Sequence, residues 1–255
     1  MGKILILLCI WNTVCSSAIV FVHIGDELPR YAPIAIQQAL MFNPNTPIYM
    51  ISSERALTHL QLPVHKIAYE MLAPSQEHSD YRARYPHLGY WRYVVERFFY
   101  LDEFLQQYEL EHVVHLENDV MTYFELDQMI PVFDRCYSSV GGTFLNDGEG
   151  VPGIVYIPNK ESLHSLMPFF AELASKGHSD MRIFGQLRQK KMVQDLPIIP
   201  ANYPKEHRMN ASNPERFAEH VDAFDSIFDG AALGQYLGGV DPLFGPPKPG
   251  VCQLE

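Results

Sequence analysis

The pattern of the first fifty residues restricts the fold more than any other feature of this chain. Residues 19–24 form an apolar run that predicts a buried strand, and the polar stretch 25–29 ends it. A helical pattern follows over residues 33–42, and residues 47–52 predict a second buried strand. Two buried strands joined by a helix run parallel, because the crossover returns the chain to the same end of the sheet. We therefore predict an α/β fold with a doubly wound sheet.

Helices and strands continue to alternate beyond this unit. Residues 89–107 predict a helix whose apolar face packs on the sheet, since four apolar side chains share one face: Val94, Phe98, Leu101 and Leu105. Further segments are predicted as strands at 139–144 and 153–157, a turn at 146–150, and helices at 163–175 and 181–190. We find no internal repeat and no linker, so we expect a single domain over residues 19–241, followed by a Pro- and Gly-rich tail at 242–255.

The pentapeptide His115-Leu116-Glu117-Asn118-Asp119 is the main chemical feature of the chain, and it closes another apolar run. In an extended segment the side chains alternate, so Glu117 and Asp119 would point one way and Asn118 the other. Two carboxylates on one surface suit Mg²⁺ or Mn²⁺, whose remaining ligands are commonly substrate phosphates and water. Because ligands bind at the carboxyl ends of strands in open α/β sheets, the pair predicts a metal-bound diphosphate substrate.

Each of these residues also has a purely structural interpretation. Acidic residues after a strand can cap a helix or solvate a turn, and an E-x-D pattern occurs by chance in many proteins. Arg97, on the predicted helix, is equally consistent with a salt bridge at the rim of the sheet and with steering of a phosphate. The residues alone leave both alternatives open.

Composition and charge narrow the class of ligand. The chain has 255 residues, of which 47% are hydrophobic and 19% charged, as in an ordinary globular protein with one buried core. Its formal net charge of −11 argues against binding to nucleic acid or to an anionic membrane, since both need clustered Lys and Arg. A single nucleotide is still compatible with this charge, because a metal ion can neutralise its diphosphate.

The amino terminus has the parts of a secretory signal peptide. Lys3 precedes an apolar run at 4–11, and Ser16-Ser17-Ala18 supplies the small residues of a cleavage site. We expect cleavage after Ala18 and a location in the secretory pathway, in the ER or Golgi lumen or exported. A first buried strand and an uncleaved signal anchor are the alternatives, and we expect contact with a membrane only in the case of the anchor.

Several segments resemble glycosyltransferases of the GT-A fold, a class that uses nucleotide sugars and carries an acidic D-x-D metal motif at a strand end. Residues 21–29 look like the first strand and nucleotide loop of that family, and residues 96–101 like the helix before the motif. Residues 116–120 are similar to the motif, with Glu117 in place of its first Asp. Residues 151–156 resemble the strand that usually carries an Asn-x-Gly turn. The likeness covers most of the mature chain.

The resemblance implies a Rossmann-like, mostly parallel sheet flanked by helices, with Mn²⁺ or Mg²⁺ as cofactor. The metal would be held by Asp119 and, directly or through water, by Glu117. The residues that would contact the nucleotide sugar are His23, Gly25, Arg97, Asn118 and Gly153.

The resemblance also suggests residues for proton transfer. Ser179-Asp180-Met181 resembles the acidic start of a helix close to the reacting sugar. If the reaction inverts configuration, Asp180 is the first candidate for the base that deprotonates the acceptor, and Asp229 is the second. Both can also be helix caps, and a retaining reaction needs neither as a base.

The predicted function is transfer of a sugar from a nucleotide-diphosphate sugar to a hydroxyl of a glycan, protein or small-molecule acceptor, with no nucleic-acid partner. One rival is a metal-dependent phosphodiesterase or pyrophosphatase, which would need a denser cluster of ligands than the eleven scattered histidines supply. The other rival is a secreted carbohydrate-binding protein on a degenerate transferase fold, which the imperfect metal motif favours.

Overall fold

The computed structural model describes residues 16–87, 89–200 and 214–228. Within these ranges, seven strands form one sheet in the order β3-β2-β1-β4-β6-β5-β7. The strands are β1 (Ser16–Val22), β2 (Ile48–Ser52), β3 (His65–Ala68), β4 (Leu110–Leu116), β5 (Val140–Phe144), β6 (Gly150–Asn159) and β7 (Val193–Asp195). The first four strands are mutually parallel, β6 is antiparallel to both β4 and β5, and β5 is parallel to β7.

Helices cover both faces of this sheet. They are α1 (Ala32–Phe42), α2 (Glu54–His59), α3 (Gln76–Arg84), α4 (Tyr90–Gln107), α5 (Leu126–Cys136), α6 (Lys160–His164), α7 (Met167–Ser175), α8 (Asp180–Gln189) and α9 (Val221–Phe224). On one face, α1 and α5 pack against Ile19 and Phe21 of β1. On the other, α4, α7 and α8 pack in a core that includes Val20 and Val22. The predicted fold class, a mostly parallel sheet flanked by helices in one α/β domain, is confirmed.

Most predicted elements are present, and the exceptions have local causes. The predicted helix at 163–175 is divided into α6 and α7, because Pro168 in the first turn of α7 has no N–H to continue a helix from α6. β3 was not predicted from the sequence, because its side chains are exposed or half-buried at the edge of the sheet and so form no apolar run. The sequence patterns also did not predict α2, the polar helix α3, α5, β7 or α9.

The amino-terminal strand overlaps the predicted leader. β1 begins at Ser16, and Ala18 is buried opposite Val113 in the centre of the sheet. Cleavage after Ala18 stays a prediction, and so does the leader itself, of which residues 1–15 lie outside the described residues. Asp229 and the tail at 242–255 also lie outside them. No helix in the described part of the chain has the length and apolarity to span a membrane.

The order of the strands creates one crevice at the carboxyl edge of the sheet. From β1 the chain passes through α1 to β2 on one side, whereas β4 pairs with β1 on the other side. The direction in which successive strands are added across the sheet therefore reverses between β1 and β4. In open α/β sheets, such a switch point leaves a space between the loops that follow the two strands, and ligands bind there.

Candidate functional site

A cleft of about 550 Å³ opens at the carboxyl ends of β1 and β4. The loop after β1 contributes His23 and Tyr31, and α4 contributes Tyr90 and Arg97 from the other face of the sheet. Residues 117–119, which follow β4, also line the cleft. The fold thus brings together both predicted metal ligands and three of the five predicted nucleotide-binding residues.

The two carboxylates lie in a turn and not in an extended strand. β4 ends at Leu116, and the N–H of Val120 donates to the carbonyl of Glu117 over 3.1 Å. Our expectation that Asn118 points away from the carboxylates assumed an extended backbone and does not hold, since Asn118 lines the same cleft. Its Nδ2 donates to the carbonyl of Val22 over 3.2 Å, which joins the turn to the end of β1.

Arg97 joins the turn to the interior of the protein. Its Nη1 donates to Oε1 of Glu117, and its Nη2 lies 2.9 Å from Oδ2 of Asp180 and 3.2 Å from the carbonyl oxygen of Pro152. Only 8% of the Arg97 side chain is exposed. An ion pair was the structural alternative for Arg97, and the structure contains one, although it is buried beneath the cleft and not at the rim.

The carboxylates of the turn differ in their electrostatic surroundings. Burial opposes ionisation of Glu117, but the charge of Arg97 and its hydrogen bond to Glu117, with a smaller contribution from His115, together lower the pKa of Glu117. Partial burial raises the pKa of Asp119, and the negative charge of Glu117 raises it further. Asp119 therefore retains unbalanced negative charge at the mouth of the site, and a bound cation would relieve it.

Asp180 lies on the far side of Arg97 from Glu117. It is the first residue of α8, its Oδ1 accepts a hydrogen bond from its neighbour Met181 over 2.9 Å, and it is not part of the cleft lining. Burial raises the pKa of Asp180 to about 6, although the charge of Arg97 opposes the increase. The cap of α8 is Ser179, whose hydroxyl accepts from the N–H of Arg182.

Two glycines named by the sequence analysis hold the loops of the site. The N–H of Glu117 donates to the carbonyl of Gly153 in β6 over 2.8 Å, and a Cβ at Gly153 would lie 3.3 Å from Oε2 of Glu117. Gly153 therefore supports the carboxylate from below. Gly25 has a φ of 150°, and its carbonyl accepts from the hydroxyl of Ser53 over 2.8 Å, so it fixes the loop after β1.

His23 is held as a neutral side chain in this loop. Its Nε2 lies 2.8 Å from the carbonyl oxygen of Glu27, which requires a proton on Nε2. Burial lowers the pKa of His23, more strongly than this hydrogen bond raises it. His23 thus contributes no positive charge to the cleft at neutral pH.

Aromatic side chains form two walls of the cleft, and they were not predicted from the sequence. Tyr31, immediately before α1, is 52% exposed, and Tyr90, the first residue of α4, is 69% exposed. Partial burial raises the pKa of both tyrosines; the charge of Asp119 adds most to the increase at Tyr31, and that of Glu117 at Tyr90. Both hydroxyls are therefore close to the carboxylate pair. The sequence feature that could have indicated these walls is an aromatic residue at the start of each helix that begins at the carboxyl edge of the sheet.

The donor set fits a divalent cation that shares its coordination with a substrate. Asp119 offers its carboxylate, and Oε2 of Glu117 has no hydrogen-bond partner among the described residues. In the same part of the chain, no group of three or more His, Cys, Asp or Glu side chains could enclose a metal ion. Two protein carboxylates completed by phosphate oxygens and water are a common arrangement for Mg²⁺.

No protein-family model and no curated protein matches the chain. Among solved structures, it is similar to mouse xyloside xylosyltransferase 1, with 11% identity, a TM-score of 0.49, and coverage of 84% of this chain and 94% of that one. It is also similar to the galactosyltransferase LgtC, with 14% identity, a TM-score of 0.45, and coverage of 79% and 83%. A putative nucleotide-diphospho-sugar transferase from Desulfovibrio desulfuricans has 11% identity, a TM-score of 0.40, and coverage of 88% and 99%.

Proposed function

We propose that the protein is a divalent-metal-dependent glycosyltransferase that moves a sugar from a nucleotide-diphosphate sugar to an acceptor hydroxyl. The observation that carries the proposal is the carboxylate pair Glu117 and Asp119 at the switch point between β1 and β4. A nucleotide bound there would lie at the ligand position of doubly wound sheets. The cleft volume of about 550 Å³ is suitable for a ligand of this size.

The charge of the cleft supports the requirement for a metal ion. Its lining includes the carboxylates of Glu27, Glu117 and Asp119 against the single guanidinium of Arg97. Without a cation, this lining would repel a diphosphate. A divalent ion bound at Asp119 and Glu117 would attract the diphosphate and stabilise the negative charge that develops as the nucleotide leaves.

The surrounding residues would then have distinct roles. Arg97 would hold Glu117 in place, because its Nη1 donates to one carboxylate oxygen and leaves the other without a hydrogen bond to a described residue. Asp180 would position Arg97 and would not accept a proton from the acceptor, since it is buried behind the guanidinium and does not line the cleft. Asp229 stays a prediction as a base for an inverting reaction, outside the described residues.

The two rival functions make different demands on the site. A phosphodiesterase or pyrophosphatase with a protein-enclosed metal centre needs more ligands than the pair found in the described part of the chain. Oε1 of Glu117 already accepts a hydrogen bond from Arg97, which is compatible with a carbohydrate-binding protein on a degenerate fold. Binding of nucleotides separates this rival from the transferase.

Thermal unfolding with nucleotides and metal tests the proposal. Purified protein would be heated with UDP, GDP, ADP, CDP and their sugar derivatives, each with and without Mn²⁺, since only ligands of the folded state raise Tm. We expect a rise in Tm with one nucleotide class, only when Mn²⁺ is present, and its loss in Asp119→Asn. Glu77→Gln removes an exposed carboxylate outside the cleft and should respond like the wild type. No rise with any nucleotide would contradict the proposal and favour the carbohydrate-binding protein.

We also propose that the protein works in the secretory pathway, on the basis of the charged, apolar and small-residue segments at its amino terminus. Expression of the full chain in a secreting host, followed by intact-mass measurement, tests this assignment. We expect the recovered protein to begin at Ile19. A protein that stays inside the cell with its first eighteen residues attached would contradict it.

A further inference from the structure

We propose that the hydroxyls of Tyr31 and Tyr90 donate hydrogen bonds to the diphosphate of the nucleotide sugar from the two sides of the cleft. The inference rests on the proposed function and adds to it the two side chains that recognise the diphosphate directly. The grounds are which hydrogen-bond donors line the cleft and which of them already have partners within the protein.

Among the described residues, no positively charged donor of the cleft is free to bind the diphosphate. Arg97 is the one Lys or Arg among the described residues that line the cleft. Its Nη1 is bound to Glu117 and its Nη2 to Asp180 and the carbonyl of Pro152, so its charge is balanced. Its Nε–H has no partner within the described part of the chain, but this atom is buried and does not reach the cleft surface. His23 is neutral, and its Nε2–H is bound to the carbonyl of Glu27.

The amino terminus of α1, a common type of phosphate site, is also closed. The N–H of Ala32 donates to the carbonyl of Pro29, and the N–H of Ile34 donates to the carbonyl of Tyr31, each over 3.0 Å. Pro33 lies between them and has no N–H. The first turn of α1 therefore presents no free backbone donor to an anion.

Tyr31 and Tyr90 have the position and the freedom that Arg97, His23 and the first turn of α1 lack. They begin helices on opposite faces of the sheet, and both line the cleft. Neither hydroxyl has a hydrogen-bond partner among the described residues, and both side chains are more than half exposed. The negative charges of Asp119 and Glu117 act on both phenols, which agrees with a position of both tyrosines beside the metal site.

Neutral donors also agree with the charge of this site. Phenols remain protonated at neutral pH, so they can donate to a phosphate beside two carboxylates without needing a counter-charge. A hydrogen bond to a charged acceptor is stronger than one between neutral groups. The metal ion would thus neutralise the charge of the diphosphate, and hydrogen bonds from the two tyrosines would fix its orientation.

Binding of inorganic pyrophosphate in the presence of excess Mn²⁺, measured by isothermal titration calorimetry, tests the inference. Each of Tyr31→Phe and Tyr90→Phe removes one hydroxyl and keeps the ring. We expect each to raise Kd about tenfold, as for loss of one hydrogen bond to a charged group, and the double variant to raise it about 100-fold. Tyr123→Phe is the control, since Tyr123 is 70% exposed and does not line the cleft.

The outcomes separate this inference from the proposed function. If the wild type binds manganese pyrophosphate or a nucleotide, and both Phe variants bind within twofold of it, the inference is overturned and the proposed function stands. If affinity is lost in Tyr31→Leu and Tyr90→Leu but kept in the Phe variants, the rings and not the hydroxyls contribute, which also overturns it. If the wild type binds neither pyrophosphate nor any nucleotide, both fail together. Unchanged Tm values would confirm that the variants are folded.

Discussion

The Nη2 atom of Arg97 lies 2.9 Å from Oδ2 of Asp180, and only 8% of each side chain is exposed. The pair connects the middle of α4 to the first residue of α8. Beyond Arg97 come Glu117 and then Asp119 at the mouth of the cleft. The site thus has a buried negative group, a buried positive group, and two carboxylates above them, which places the excess negative charge where a cation can reach it.

Removal of the Arg97 guanidinium should destabilise the protein. In Arg97→Met, Asp180 loses its charged partner inside the protein, and loss of one member of a buried pair costs about 3–5 kcal/mol. We expect a loss near the lower end of this range, because Glu117 is about one-third exposed and is solvated more easily. The free energy of unfolding from urea titrations would measure it.

The controls for Arg97 are an exposed pair and a double variant. Arg55 and Asp26 form a pair whose side chains are 68% and 65% exposed, so Arg55→Met should change stability by less than about 0.5 kcal/mol. Adding Asp180→Asn to Arg97→Met should recover part of the lost stability, since no buried charge then lacks a partner. A loss in Arg97→Met no greater than that in Arg55→Met would contradict the assigned geometry.

Asp119→Asn should abolish metal-dependent turnover and leave the fold intact. Asp119 is exposed at the end of the turn and has no ion pair with a described residue. Asn can keep the hydrogen bond that the Asp119 side chain accepts from its own backbone N–H, so the replacement removes a metal ligand and leaves the turn in place. We expect sugar transfer to fall by at least about 100-fold, in line with loss of metal-centred charge stabilisation. Transfer assays with increasing Mn²⁺ would measure it, and a variant with wild-type turnover would exclude Asp119 as the metal ligand.

Among the glycines of the described residues, Gly185 is the one at which substitution should be most harmful to the fold. A Cβ at this position of α8 would lie 1.9 Å from the carbonyl oxygen of Gly148 and 2.2 Å from its carbon. Gly185→Ala therefore forces two backbone segments apart, and we expect a loss of about 3 kcal/mol or more, at the upper end of overpacking. Gly148→Ala is the matched control, because its Cβ would meet nothing nearer than Oδ1 of Asn146 at 3.7 Å. Equal Tm values for the two variants would contradict this packing.

His78 should make stability depend on pH. It is fully buried between α3 and α4, with Nδ1 2.8 Å from Glu103 and Nε2 3.1 Å from Glu96. Burial opposes protonation, but the hydrogen bonds to Glu103 and Glu96 and the negative charges of both together raise the pKa of His78 above 6.5. The folded state therefore holds this proton at pH values where the unfolded chain releases it. The stabilisation is complete below pH 6.5 and is lost as pH rises through the folded pKa.

Urea titrations from pH 6 to pH 9 would detect this dependence. We expect the wild type to lose stability with rising pH and His78→Gln to lose less over the same interval. His59→Gln, which alters an exposed histidine, should retain the slope of the wild type. The same slope in His78→Gln and the wild type would show that the proton of His78 does not contribute.

Local patterns were enough to predict the elements that build the site. Alternation of apolar runs with a helical pattern predicted β1, α1 and β2 and their parallel pairing, and the apolar face of residues 89–107 predicted α4. These predictions succeeded because burial of one face imposes a period on neighbouring residues. They failed at β3, where the strand is at an edge and buries little.

Proximity between distant residues was decided only by the tertiary structure. Sequence placed Glu117 and Asp119 at a strand end, but the turn that makes Asn118 share their cleft depends on a hydrogen bond to β1, far away in the chain. Arg97 and Asp180 are 83 residues apart and meet only because α4 and α8 pack on the same face of the sheet. The spacing of residues along the chain predicts on which face of its own helix or strand a residue lies. The order of the strands determines which elements become neighbours, and hence which charges face one another.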